Sequence, residues 1–332
     1  MMAAEPHVDL AEIEQARAAI ADAVRLTPVM VSPSLSDRLG MPVHLKLEHG
    51  QITGSFKLRG ATNAVAGLSA DERRCGVVAV STGNHGKGLA HAARAAGVRC
   101  IIALSRLVPQ AKIDGIAAEG AEVRIIGRSQ DEAQLEAARL VREEGMTMVP
   151  PFDHRAVIAG QGTLGLEILE QVPDLATVLV PLSGGGLISG VAAALRARRP
   201  GVRIVGLSME RGAAMHRCLA AGKPVQVEEL ETLADSLGGG IGLDNRLTFA
   251  MTRDLVDDVI LVSEAEIARA IRHLYRQERQ IVEGAGAVGV AALLAGKVAS
   301  DGPVVAILSG GNIDMDQHLR LVSGDDLTGE AA

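Results

Sequence analysis

Aromatic residues are scarce in this sequence. There is no tryptophan among the 332 residues, Tyr275 is the only tyrosine, and there are three phenylalanines. Surfaces that bind nucleic acid need stacking rings and clustered cations, whereas this chain has a net charge of -7 and no visible basic patch, so no nucleic-acid partner is expected. The core must be built from Ala, Val, Leu and Ile, which suits helices packed closely on a parallel sheet.

Cysteines and long apolar runs are equally scarce. Cys75, Cys100 and Cys218 are scattered and odd in number, which argues against a disulfide framework and against a zinc cluster. No apolar run approaches the roughly 20 residues that span a bilayer, and the N-terminus lacks the cationic and apolar regions of a secretory signal. We therefore expect a cytoplasmic protein of one large or two moderate domains, with no membrane partner.

Strands and helices alternate along most of the chain. Asp9 is expected to cap a first helix that runs to about Leu26. The segment 43–47 alternates like a half-exposed strand, so Lys46 is expected to point to solvent. Buried strands joined by helices form parallel sheets covered on both faces, which predicts an α/β fold. Apolar runs predict these later strands near residues 76–80, 99–104, 122–126, 147–149, 177–182, 203–207, 258–262 and 304–308, and the alternation weakens between 208 and 257.

One lysine stands in an unusual context. Only six of the 33 basic residues are lysines, and Lys57 lies between the rare Phe56 and a helix-like run, with glycines on both sides. A lysine in a chain that otherwise uses arginine indicates a task that arginine cannot perform, namely losing its proton to act as a nucleophile or base. The alternative is a surface lysine at the start of a helix.

Three loops that directly follow strands carry glycines and small polar residues. Ligands of open α/β sheets bind beyond the carboxyl ends of the strands, so these loops predict a site. The first, residues 81–86, offers hydroxyls and backbone N–H groups to a carboxylate, and the three glycines of the second, residues 183–187, let N–H groups converge on a phosphate. The third, residues 309–312, places a hydroxyl at a strand end. Each loop read alone could be a plain turn.

A lysine of low pKa, a phosphate cradle, a carboxylate site and a strand-end hydroxyl together fit one cofactor, pyridoxal phosphate. At these residues the chain resembles the fold type II pyridoxal-phosphate enzymes, and within them the threonine/serine dehydratase group that includes serine racemases. The resemblance runs over residues 10–322. It includes the segments 53–61, 81–86, 157–163, 183–186, 283–291 and 309–314.

The resemblance implies an architecture like that of the tryptophan synthase β chain, with two three-layer αβα domains and mostly parallel sheets. Residues 1–73 and 152–332 would form a large domain that binds the cofactor, and residues 74–151 a small mobile domain. A C-terminal regulatory domain is not expected. The protein would be a homodimer that acts on a small, amino-acid-like substrate.

The resemblance also implies roles for individual residues. Lys57 would bond the cofactor covalently and remove the α-proton of the substrate. Phe56 would pack against the cofactor ring, Asn84 would bond its phenolic oxygen, and Ser309 would meet its pyridine nitrogen. The phosphate would be held by Ser183, Gly184, Gly185, Gly186 and Leu187. The substrate-binding residues would be Ser81, Thr82, Asn84, His85 and Gly239.

These roles imply a carbon–oxygen/carbon–nitrogen lyase that removes water from a hydroxylated amino acid by β-elimination and yields a keto acid and ammonia. Thr82 stands where racemases place a serine that acts as acid or base, which counts against efficient racemisation. The acidic residues that hold a divalent cation in many relatives correspond here to Ser208 and Ala214. No metal site is therefore expected, and Glu210 could supply one only through a shift in register.

The segments 208–215 and 236–242 are most similar to the hydroxyectoine-utilisation dehydratases, which indicates a role in hydroxyectoine catabolism. The alternative is a catabolic L-threonine/L-serine ammonia-lyase or a 3-hydroxyaspartate dehydratase, and a serine racemase is less expected. A cysteine synthase has a different lysine motif. A nicotinamide-dependent oxidoreductase would need an acidic residue about 20 positions after the glycine loop, where Leu207 and Ser208 stand. A binding module without catalysis would not need Lys57.

Overall fold

The computed structural model describes residues 7–108 and 110–324, and its strands form two sheets. The six-stranded sheet has the order β1-β2-β10-β7-β8-β9 and the four-stranded sheet the order β5-β4-β3-β6. All pairings within them are parallel except that of β1 with β2, which confirms the expected α/β fold with mostly parallel sheets. The strands are β1 Val29–Val31, β2 Val43–Lys46, β3 Val77–Val80, β4 Cys100–Leu104, β5 Glu122–Ile125, β6 Thr147–Met148, β7 Thr177–Pro181, β8 Arg203–Met209, β9 Asp258–Val262 and β10 Val304–Ile307.

The α-helices cover both sheets. They are α1 Leu10–Ile20, α2 Pro33–Leu39, α3 Lys57–Ala66, α4 Ala70–Cys75, α5 Asn84–Ala95, α6 Gln110–Ala118, α7 Gln130–Glu144, α8 Arg155–Gln171, α9 Gly186–Arg198, α10 Ala214–Ala221, α11 Thr248–Leu255, α12 Glu264–His273, α13 Gly284–Leu294 and α14 Met315–Ser323. None of the helices within residues 7–108 and 110–324 is long and apolar enough to cross a membrane. Helices α10 and α11 fall where the alternation of the sequence is weak.

Helix α1 starts as expected but ends early. Asp9 forms a capping box with Glu12, because its side chain accepts from the Glu12 N–H and the Glu12 carboxylate accepts from the Asp9 N–H. The helix ends at Ile20 rather than near Leu26, so that expectation is wrong. Its buried residues stop at Ile20 and Leu26 is 66% exposed, so no apolar face remains to hold a further turn against the core.

Helices α3 and α8 approach closely through paired glycines, and this contact fixes the start of α3. A Cβ on Gly60 would lie 2.7 Å from the Val157 carbonyl oxygen, and a Cβ on Gly160 would lie 2.7 Å from the Arg59 carbonyl oxygen. Any side chain at either position would therefore push the two helices apart. Lys57 is the first residue of α3, so this contact also sets the position of its backbone.

Lys46 does not point to solvent, and that prediction is wrong. Its side chain is fully buried, and Nζ donates to Glu167 Oε2 at 2.7 Å and to the Thr27 carbonyl at 2.7 Å. Strand β2 lies inside the sheet between β1 and β10 rather than half exposed. Arg59, also fully buried, binds Glu48 at 2.8 Å and the other oxygen of Glu167 at 2.7 Å, so a buried ionic cluster ties β2, α3 and α8 together.

Candidate active site

The three loops singled out in the sequence meet in one cleft of about 230 Å³. They follow β3 of the small sheet and β7 and β10 of the large sheet, so strand ends of both sheets face the same space. Gly238 lines this cleft, while Gly239 adopts a left-handed φ of 94°, and a Cβ added there would lie 3.7 Å from Glu229 Oε1. The other expected site residues all line it: Phe56, Lys57, Ser81, Thr82, Asn84, His85, Ser183, Gly184, Gly185, Gly186, Leu187 and Ser309.

The amine of Lys57 lies next to a backbone carbonyl and an aromatic ring. Nζ donates to the Pro151 carbonyl oxygen at 2.8 Å and lies 5.3 Å from the ring centroid of Phe56. Burial lowers the pKa of Lys57 to about 8, and the negative charge of Glu283 opposes this shift. About a tenth of the amine is therefore neutral at pH 7, far more than for an ordinary lysine, and the neutral form is the one that a nucleophile or base requires.

The glycine loop after β7 can hold a phosphate. Gly185 has a φ of 90°, which favours glycine, and a Cβ on Gly184 would lie 2.3 Å from Cδ1 of Phe152. Helix α9 begins at Gly186, so its first N–H groups have no partner within the helix and are available to an anion. Phe152, which no motif of the sequence singled out, forms the wall against which this loop is packed.

Asp153 anchors the other side of the glycine loop. Its carboxylate accepts from the backbone N–H groups of Arg246, Leu247 and Thr248 at 2.7 to 2.9 Å, where α11 begins. A Cβ on Gly185 would lie 3.0 Å from Cβ of Thr248, so α11 packs directly against the loop. The segment that holds Phe152 on one side of the loop thus also holds α11 on the other.

The loop after β3 presents hydroxyls and the N-terminus of α5. Ser81 Oγ accepts from the Gly86 N–H at 3.0 Å, and His85 Nε2 donates to the Val149 carbonyl oxygen at 2.8 Å. Burial and the charge of Lys57 lower the pKa of His85 to about 3, so the imidazole is neutral and its Nδ1 is an acceptor. A substrate carboxylate would therefore be bound by hydroxyls and helix N–H groups rather than by a charged histidine.

Glu283 was given no role by the sequence, although it starts one of the segments on which the resemblance rests. Its side chain lines the cleft, is 4% exposed, and accepts from Asn84 Nδ2 at 2.7 Å. Burial and the neighbouring charge of Asp235 raise the pKa of Glu283 to about 7. The sequence signal that could have identified Glu283 is an acidic residue directly before a helix that consists mainly of glycine, alanine and valine. Asp235 also pairs with Lys112 at 2.8 Å at the edge of the cleft.

The positions discussed for a cation do not line the cleft. Ser208 is buried in β8, with its hydroxyl 3.4 Å from the sulfur of Met209, and Ala214 is the first residue of α10. Across residues 7–108 and 110–324, no three His, Cys, Asp or Glu side chains are grouped so that they could hold a metal ion. The expectation about the metal remains a prediction.

Comparisons with known proteins agree with the cofactor expected for this cleft. Residues 20–310 match the family model described as pyridoxal-phosphate dependent enzyme. The chain is 58% identical over 319 residues to a putative threonine dehydratase of Sinorhizobium fredii, covering 96% of each, and 42% identical to an L-threonine ammonia-lyase of Thermotoga maritima, covering 95% of this chain and 78% of that one. The solved structure of maize serine racemase has a TM-score of 0.90 at 36% identity, covering 95% of this chain and 97% of that one. The chain belongs to the pyridoxal-phosphate dependent enzymes of fold type II and is a threonine dehydratase-like member of that family.

Proposed function

We propose that this enzyme is an ammonia-lyase that removes water from L-threonine or L-serine and releases a keto acid and ammonia. The observation that carries the proposal is one cleft that Lys57 lines together with the glycine loop before α9 and the start of α5, which would bind a phosphate and a carboxylate. The names of the relatives support this reading, which the sequence offered as the alternative to hydroxyectoine breakdown.

The residues present fit pyridoxal phosphate. Gly184, Gly185 and Gly186 would hold its phosphate with their backbone N–H groups, and the Ser309 hydroxyl, which lines the cleft in a residue only 3% exposed, would face the ring nitrogen. Asn84 would bond the phenolic oxygen. Once bound, the cofactor withdraws electrons from the α-carbon of the substrate and so acidifies its α-proton.

Lys57 would act as the base for that proton. Its amine must be neutral to accept a proton, and a pKa of about 8 provides this form close to neutral pH. The Pro151 carbonyl accepts a hydrogen bond from Nζ and so limits the directions in which the amine can point. The substrate carboxylate, bound by Ser81, Thr82 and the first N–H groups of α5, would orient the α-carbon towards this amine.

Hydroxyectoine remains a second candidate substrate. The segment 236–242, which resembles the hydroxyectoine-utilisation dehydratases, borders the cleft through Ser236 and Gly238. The carboxyl groups of Asp235 and Glu283 line the same cleft and would attract the positive charge that hydroxyectoine shares with amino acids. Turnover of hydroxyectoine together with inertness towards threonine and serine would favour this candidate over the first.

The domain division and the homodimer are also proposals. The four-stranded sheet is built entirely from residues 77–148, and the six-stranded sheet uses strands from both sides of this range, which supports a small domain of residues 74–151 inserted in a large one. Light scattering of the purified holoenzyme tests the dimer, which a monomeric mass would contradict.

The decisive experiment compares wild-type protein with Lys57→Ala, using Lys223→Ala, an exposed lysine outside the cleft, as the control. Wild type and the control should take up pyridoxal phosphate with a visible absorbance band and release keto acid from threonine or serine. Lys57→Ala should lose the band and at least about 1,000-fold in rate, as removal of an essential nucleophile does. A wild type that takes up the cofactor but releases no keto acid from either amino acid would contradict the proposed substrates.

A further inference from the structure

Four side chains form a continuous hydrogen-bonded chain that ends at two residues of the cleft, Asn84 and Glu283. Lys87 Nζ donates to Asn312 Oδ1 at 3.0 Å, and Asn312 Nδ2 donates to Asn84 Oδ1 at 2.7 Å. Asn84 Nδ2 in turn donates to Glu283 Oε1 at 2.7 Å. Lys87 and Asn84 belong to α5, whereas Asn312 follows β10 and Glu283 precedes α13, so the chain joins the two sides of the cleft.

The lysine end fixes the direction of every bond in this chain. A lysine ammonium can only donate, so the oxygen of Asn312 must face Lys87; the nitrogen of Asn312 then donates to Asn84 Oδ1, and the nitrogen of Asn84 faces Glu283. The backbone carbonyl of Thr53, which accepts from Asn312 Nδ2 at 2.9 Å, requires the same orientation. A rotated amide at either asparagine would place two donors or two acceptors against each other.

The fixed direction leaves one N–H of Asn84 for a ligand. The amide nitrogen carries two N–H groups, and Glu283 takes one. The remaining N–H has no partner among residues 7–108 and 110–324, and Asn84 lines the cleft. Without the acceptor at Glu283, Asn84 would be held only through its oxygen by Asn312, and its N–H groups would no longer be fixed in direction.

The backbone is shaped to allow this contact. A Cβ on Gly310 would lie 2.6 Å from Glu283 Oε1 and 3.1 Å from Asn84 Nδ2, so only glycine fits beside the pair. The Glu283 N–H donates to the Gly310 carbonyl at 3.1 Å, which ties the carboxylate to the same loop that carries Ser309. The glycine after Ser309 is therefore required by the neighbouring side chains and not only by a turn.

We propose that Glu283 is a positioning residue for the cofactor, which it serves by holding the Asn84 amide with one N–H directed to the phenolic oxygen. This inference rests on the proposed function only through the role of Asn84, and it does not depend on the identity of the substrate. The charge of Glu283 also raises the pKa of Lys57, and the charge of Asp235 raises the pKa of Glu283 itself. Removing the acceptor and removing the charge should therefore have separate effects.

The test measures cofactor capture by the apoenzyme, without substrate. Glu283→Gln keeps an acceptor for Asn84 and should retain the Kd for pyridoxal phosphate within about threefold, whereas Glu283→Ala should weaken it at least about tenfold, as expected for loss of a hydrogen bond to a charged group. Glu283→Gln should shift the pH midpoint of the capture rate below that of wild type, because the negative charge that raises the pKa of Lys57 is gone. Glu278→Gln and Glu278→Ala are the matched controls, since Glu278 is a buried acid that accepts from Ser32 at 2.6 Å.

Asn312→Asp provides an independent variant if Glu283→Ala does not fold. It replaces the donor that faces Asn84 Oδ1 with an acceptor of equal size, so Asn84 must rotate, and Kd should weaken by a similar factor with Glu283 untouched. Wild-type Kd values for both Glu283→Ala and Asn312→Asp would overturn the proposal, as would an equal loss in Glu283→Gln and Glu283→Ala. Failure of the wild type to act on threonine or serine would contradict the proposed function alone and leave this result unaffected.

Discussion

A methyl group added at Gly184 should weaken cofactor binding through a steric effect that can be worked out from the structure. The new Cβ would lie 2.3 to 2.5 Å from Cδ1, Cγ and Cε1 of Phe152, whereas ordinary contacts begin at 3.4 Å. The loop and the ring must therefore separate by about 1 Å, which is enough to break a hydrogen bond to a phosphate oxygen. Hydrogen bonds to charged groups contribute about 1.5–3 kcal/mol, so loss of one should raise the Kd for pyridoxal phosphate by roughly 10- to 150-fold.

The second substitution Phe152→Ala tests whether the ring is the cause. The three atoms that the new methyl would meet all belong to the ring, so Gly184→Ala in a Phe152→Ala background should cost much less than in the wild-type background. The double-mutant cycle should show a coupling of at least about 1 kcal/mol. Kd is measured by titrating the apoenzyme and following the absorbance of the bound cofactor.

A matched control separates the clash from a general effect of alanine. Gly201, between α9 and β8, has no left-handed φ, and a methyl group added there would meet no atom within 4 Å, so Gly201→Ala should leave Kd unchanged. The reasoning is refuted if Gly184→Ala binds the cofactor as tightly as wild type. It is equally refuted if the loss persists in full when Phe152 is alanine, because the ring would then not be the source of the strain.

Two further predictions concern charge. The rate at which the apoenzyme captures pyridoxal phosphate should rise with pH and level off above about 8, because only the neutral amine of Lys57 reacts; a stopped-flow profile that is flat from pH 6 to 9 would contradict this assignment. Arg59→Met should lower the free energy of unfolding in urea by about 3–5 kcal/mol, because it leaves the buried carboxylate of Glu48 without its arginine and Glu167 with Lys46 alone. Arg17→Met, which breaks an exposed pair with Glu170, should cost less than about 1 kcal/mol, and equal losses would contradict the argument.

The sequence located the site because strand ends are local features. Apolar runs marked β3, β7 and β10, and the rule that ligands bind beyond the carboxyl ends of strands selected the loops that follow them. What it could not supply were partners distant in sequence. Asn84 and Glu283 are 199 residues apart, and the contact of Phe152 with the glycine loop depends on how α8 and α9 are placed.

The error at Lys46 has the same origin. A polar residue in an alternating strand faces either water or a buried partner, and the pattern of five residues is identical in both cases. Its partner Glu167 lies 121 residues away on α8, so only the fold distinguishes the two cases. The early end of α1 is also a tertiary effect, because the residues after Ile20 have moderate helix propensity but no core to contact.

The two buried cations at the start of α3 show how the fold assigns different chemistry to neighbouring residues. Lys57 and Arg59 are two positions apart, so they point to different sides of the helix. Although burial acts to lower the pKa of Arg59, Glu48 and Glu167 hold it above its usual value, and the guanidinium is a permanent structural charge. Lys57 Nζ donates to a backbone carbonyl oxygen. The negative charge of Glu283 raises the pKa of Lys57, but burial has the larger effect and lowers it to about 8. Arg59 and Lys46 together bind both oxygens of Glu167, so this carboxylate belongs to the buried ionic cluster. The reactivity of Lys57 thus depends on the pairing of the other charges around α3, as well as on its own burial.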